Sequence, residues 1–158
     1  TNLVQLLGPV AGVAAMAKAG FPTRTIRNGP RDGEVLEVRT PTDIHAILEF
    51  RSGATVTFGA SWDVRAHRHP NMDLYGEAAS LYVPDPNFFG GEVLLATGEG
   101  EPEALGDGGH PFGVVNYTFP DGKSFANWRG AGLADMAAAL AEGRPHRCSL
   151  DLAVHVVD

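Results

Sequence analysis

The stretch that decides the fold reads Thr42-Asp43-Ile44-His45-Ala46-Ile47-Leu48-Glu49-Phe50-Arg51-Ser52-Gly53-Ala54-Thr55-Val56-Thr57-Phe58-Gly59-Ala60-Ser61-Trp62-Asp63. Ile44, Ala46, Leu48 and Phe50 alternate with Asp43, His45, Ile47 and Glu49, the period of a strand with one buried face. Ser52-Gly53 supplies a turn, and Thr55 to Phe58 bring the β-branched and aromatic side chains that suit a pleated return strand. Asp43 to Asp63 is therefore expected to be a β-hairpin.

Outward from the hairpin, further short apolar runs stand between glycine and proline breaks. Met72–Tyr75, Ser80–Val83, Glu92–Ala96 and Val114–Phe119 read as strands, and connections this short favour antiparallel pairing. Val10–Lys18 reads as a strand for which its alanines keep helix a competitor, and Gly20–Gly33 reads as a long connection. Leu3, Val4, Leu6 and Leu7 form a helical stripe that Gly8-Pro9 ends. The glycine-rich stretch Thr97–Gly113 has few large apolar side chains and reads as a surface loop.

Beyond Asp121-Gly122 the period changes. Leu133, Met136, Ala137, Leu140 and Ala141 recur at helical spacing until Gly143-Arg144-Pro145. Leu150–Asp158 follows as a helix capped by Ser149 or Asp151, with strand as the alternative because of its valines. Strands first and helices last give an α+β class, an open, mainly antiparallel sheet with helices packed on one face.

The length of 158 residues suits a single domain with one core. Twelve Lys and Arg against nineteen Asp and Glu leave a net charge of −7, which opposes binding to nucleic acid. Cys148 is the only cysteine, so no intrachain disulfide can form. No apolar run approaches the ~20 residues of a membrane span, and the expected location is cytoplasmic. The first residue is Thr1 and the final helical pattern has no stop signal, so the chain is expected to be a piece of a longer polypeptide.

The candidate chemistry clusters at the end of the hairpin. Trp62, Asp63 and His67 place an indole, a carboxylate and an imidazole together, a set able to line a polar substrate pocket. The competing reading is a solvated loop in which Arg and Asp pair. His67 and His69 would share one face if they lay in a strand, but no spacing supplies further metal ligands. Asp85 to Gly91 combines fixed proline torsions with Phe88 and Phe89 and reads first as turn architecture. Arg129, before Gly130-Ala131-Gly132, is a candidate contact for a substrate carboxylate or phosphate, with a surface salt bridge as the alternative. The Gly-x-Gly-x-x-Gly dinucleotide fingerprint is absent there.

Taken together, several segments resemble the C-terminal domain of the Gfo/Idh/MocA family of NAD(P)-dependent oxidoreductases. They are Thr42-Asp43-Ile44-His45, Glu49 to Ala54, Ser61-Trp62-Asp63-Val64 and Leu74-Tyr75-Gly76-Glu77-Ala78-Ala79-Ser80-Leu81, then Asp85 to Gly91 and Gly143-Arg144-Pro145-His146-Arg147. Their order and spacing carry the resemblance, from about Leu3 to the end of the chain. It implies a parent enzyme whose N-terminal Rossmann domain binds NAD or NADP and which oxidises or reduces a sugar, inositol or related polyol. This domain would form one wall of the substrate site, through Trp62, Asp63, His67 and Arg129, and a homo-oligomer contact through its sheet face. The cofactor motif and the Glu-Lys-Pro segment with its catalytic lysine have no counterpart within the 158 residues. No cofactor, and no catalysis by this chain alone, is expected on that ground. The alternative is a non-enzymatic oligomerisation or small-molecule-binding module.

Overall fold

The computed structural model describes residues 1–106 and 108–158; Asp107, within the expected Thr97–Gly113 loop, lies outside the described residues. The chain divides into two compact units, Thr1–His67 with Val154–Asp158, and Arg68–Ala153.

In the first unit, helix α1 (Asn2–Leu7) ends where Gly8 takes a φ of 86° and its N–H closes on the Val4 carbonyl. Strand β1 (Val10–Lys18) follows at once. The alanines do not make it helical, because pairing from Val10↔Phe50 to Lys18↔Asp43 gives the segment a complete partner strand. The long connection after β1 contains a small ribbon of β2 (Thr23–Thr25) against β3 (Val35–Glu37), with a 3₁₀ turn at Gly29–Arg31. The expected hairpin is β4 (Asp43–Phe50) and β5 (Thr55–Ser61), antiparallel in the register Asp43↔Ser61 to Glu49↔Thr55. Its turn closes through Gly53 N–H to the Phe50 carbonyl, with Gly53 at a φ of 91°.

The sheet order is β1-β4-β5, so β4 is central and carries the burial. Ala46 and Phe50 are buried, Phe50 to 1% exposure, while His45, Ile47 and Glu49 face out as the alternation requires. The imidazole Nε2 of His155 accepts the Val10 N–H at 2.9 Å.

The second unit begins with a four-stranded antiparallel meander of β6 (Met72–Tyr75), β7 (Ser80–Val83), β8 (Leu94–Ala96) and β9 (Glu103–Ala104). A ribbon of β10 (Tyr117–Thr118) and β11 (Ser124–Phe125) follows a 3₁₀ turn at Pro111–Gly113. The strand expected over Val114–Phe119 contracts to two residues for a visible reason. The Val114 carbonyl accepts from Trp128 Nε1, and Asn116 binds the backbone of Asn127 through both its amide nitrogen and its amide oxygen.

Helix α2 (Ala131–Glu142) stops at Gly143, which is left-handed at a φ of 66°. It buries Ala139, whereas Leu133 and Leu140, from the stripe that announced the helix, are 74% and 77% exposed. Asp135 fixes its end by accepting the Arg147 N–H at 2.9 Å and pairing with the guanidinium groups of Arg144 and Arg147. These contacts hold its carboxyl below the usual aspartate range, the Arg147 backbone bond contributing most. Helix α3 (Leu150–Val157) starts on Ser149 Oγ, which accepts the Leu152 N–H and decides its valines for helix over strand.

The class is α+β with mainly antiparallel open sheets. Sheet structure is distributed over a three-stranded sheet, a four-stranded sheet and two ribbons rather than one continuous sheet. The core is thin: the buried apolar residues among those described are Ala46, Phe50, Ala126 and Ala139. Among the described residues no helix is long and apolar enough to cross a membrane.

Candidate functional site

The register of the hairpin determines what happens at its open end. Because Asp43 pairs with Ser61, Thr42 comes opposite Trp62, and the Trp62 N–H donates to the Thr42 carbonyl at 2.8 Å. One residue on, the Asp63 side chain turns inward and is 12% exposed. It forms an ion pair and hydrogen bond with Arg24 Nη2 and accepts from the Thr42 hydroxyl at 2.8 Å and from the Gly20 N–H at 3.0 Å. Its own N–H donates to Ser61 Oγ. The same Arg24 Nη2 donates to the Trp62 carbonyl at 2.8 Å, and its guanidinium lies over the Phe21 ring. A single carboxylate thus ties together the end of β5, the approach to β4, the segment after β1 and strand β2.

Gly20 is required by close approach. A Cβ there would sit 2.8 Å from Asp63 Cγ, a distance at which the carboxylate must move. Beside this knot, Ser61 donates to Asp43 and, with weaker help from His45 and Lys18, holds that carboxyl below its ordinary 3.8 despite partial burial.

The result is an indole on a fixed base. Trp62 has both its N–H and its carbonyl bonded, while its side chain is 81% exposed. Asp63 engages protein donors with both oxygens, so in this structure it positions Trp62. His67 is exposed in the segment after Asp63, and 64–70 contains no strand, so the shared-face geometry considered for His67 and His69 does not arise. Among the described residues no group of three or more His, Cys, Asp or Glu could hold a metal.

Arg129 belongs to the second unit. Its Nη1 and Nη2 donate to the Asn87 side-chain oxygen at 3.1 Å and to the Asn87 carbonyl at 2.8 Å, bracing the Asp85–Gly91 loop. That loop is turn architecture, with Asp85 Oδ1 accepting the Asn87 N–H. Its two rings take different partners, Phe88 stacking on Phe125 and Phe89 meeting Phe112 edge-on. A shallow cavity of about 380 Å³ opens beside them, lined by Phe88, Phe89 and Phe112 with Asp85 and His110.

Arg24, Thr42 and Gly20 were not singled out by the sequence. Thr42 was reachable, since the hairpin register alone places it beside Asp63. Arg24 and Gly20 were not, because they come from a connection with no periodicity.

No curated protein matches the chain. A family model, the GFO/IDH/MocA C-terminal domain, matches residues 2–82. The match takes in the three-stranded sheet, the Asp63 knot and the β6–β7 hairpin up to the last residue but one of β7, just over half of the sequence. The chain belongs to the GFO/IDH/MocA C-terminal domain family.

Proposed function

We propose that this chain is the substrate-wall and assembly domain of an NAD(P)-dependent oxidoreductase acting on a sugar, inositol or related polyol, and that it does not catalyse hydride transfer alone. The observation that carries this reading is Trp62, an exposed indole whose backbone is pinned by Thr42 and Arg24 within the family-matched segment. An exposed indole carried on a fixed backbone suits the apolar C–H face of a sugar ring, because the segment that bears it need not be ordered on stacking. His67 supplies a donor or acceptor for a hydroxyl, and Asp63 holds the platform. Arg129, in the second unit, is engaged with Asn87 and braces the Asp85–Gly91 loop. The nicotinamide cofactor, NAD or NADP, belongs to the parent enzyme's other domain.

The test is titration of the chain with myo-inositol and glucose, followed by the backbone amide NMR signals of residues 61–67. Saturable shifts that Trp62→Ala abolishes, with the fold retained by circular dichroism, are the expected result. The absence of any shift at high sugar concentration overturns the substrate-wall reading, and turnover of NAD by the purified chain overturns the non-catalytic one. A second reading, assembly through the sheet, is favoured by β1, whose Val13 and Met16 are exposed on opposite faces.

A further inference from the structure

Strand β1 pairs with β4 on one side only, and among the described residues no strand pairs its other edge. An open edge offers a row of unmet N–H and C=O groups, and soluble proteins ordinarily guard such edges with charges, prolines, bulges or short length. The guards here stand only at the ends. A register shift lies between Val10 and Gly12, and Lys18 closes the strand. Between them, Gly12-Val13-Ala14-Ala15-Met16-Ala17 has no charge and no proline, and Met16 is 81% exposed.

We infer that this edge pairs antiparallel with the same edge of a second copy, joining two three-stranded sheets into one six-stranded sheet about a two-fold axis at Ala15. The argument is self-complementarity. A two-fold axis perpendicular to the sheet must keep side chains on their own face, so each residue meets one of equal parity. The regular segment Gly12–Lys18 is centred on Ala15, and pairing it with itself sets Met16 opposite Ala14, Val13 opposite Ala17 and Lys18 opposite Gly12. Every large side chain meets a small one.

The charges agree as well. Glu49 is the cross-strand neighbour of Gly12, and its carboxylate reaches to 3.7 Å from the point where a Cβ on Gly12 would stand. Lys18 of the second copy, arriving opposite Gly12, therefore finds a carboxylate with no side chain between, and the two-fold axis makes this pairing twice. Lys18 has only a 3.9 Å pair with Asp43 within its own chain and is 75% exposed. The inference rests on the assembly reading above, but names a different surface from the sheet face.

The test uses sedimentation velocity and disulfide trapping of the full chain in a Cys148→Ser background. A dimer is expected, with Ala15→Cys cross-linking most of the chain on oxidation, because directly paired positions in an antiparallel sheet stand about 4.5–5.5 Å apart at Cα, within disulfide reach. Thr57→Cys, on the opposite edge strand β5, should cross-link little. Ala15→Lys, which sets two ammonium groups against each other across the axis, should weaken the dimer about tenfold or more with an unchanged circular dichroism spectrum. A dimer that Ala15→Cys does not trap, or that Ala15→Lys leaves intact, overturns edge pairing while sparing assembly by another surface. A monomer at all concentrations overturns both.

Discussion

Replacing Asp63 by alanine removes the acceptor shared by Arg24, Thr42 and Gly20. A hydrogen bond to a charged group contributes about 1.5–3 kcal/mol and a neutral one about 1 kcal/mol. The guanidinium of Arg24 is 36% exposed and regains water when its partner goes, which discounts the first figure. The expected loss is about 2–4 kcal/mol, or a fall of about 1–2 M in the urea midpoint for a chain of this size. Equilibrium urea unfolding followed by far-ultraviolet circular dichroism reads it directly.

The same knot makes a sharper claim about Gly20. Gly20→Ala drives a methyl into the Asp63 carboxylate and should cost about 1–3 kcal/mol, but most of that cost should disappear when Asp63 is already alanine. A double-mutant cycle measures the coupling. If Gly20→Ala costs the same in both backgrounds, or Asp63→Ala costs less than about 0.5 kcal/mol, the knot does not hold the hairpin end as argued.

Asp43 and Asp135 both have folded-state pKa values below their ordinary 3.8, so the stability they add is fully present above about pH 4 and is lost as pH falls through the folded values. Ser61→Ala should raise the Asp43 value toward 3.8 in a carboxyl NMR titration while leaving Asp135 unchanged. Gly143→Ala should cost about 1–2 kcal/mol, measured by urea unfolding, because a side chain is forced into the left-handed cap after α2. Trp62→Ala should leave stability within about 0.5 kcal/mol of the parent chain, as befits an exposed side chain, even as it removes any sugar response.

The hairpin was legible because β4 buries one face and β5 continues its register; the burial of Ala46 and Phe50 follows the alternation residue by residue. Helix α2 was legible from its period, but the stripe pointed the wrong way. Small residues, Ala138 and Ala139, take the inward side, and Leu133 and Leu140 lie outside. Periodicity reports that a helix has an apolar face, and only tertiary neighbours decide which face is covered. Trp62 and Asp63 were found at the hairpin end, yet their separate employments were not. Which of two adjacent polar residues turns inward depends on Arg24 arriving from a ribbon that no local pattern announces.

The span of the Asp63 contacts has a kinetic meaning. Its partners lie 43, 39 and 21 residues away in sequence, whereas the β4–β5 hairpin closes over a turn of a few residues. Closing long loops costs chain entropy before any contact rewards it, so the hairpin should form early and the knot late. Weakening the knot should then leave the refolding rate nearly unchanged and speed unfolding. The residues that fix Trp62 in place would thus act as the latch that governs how long the folded chain persists, more than how fast it arises.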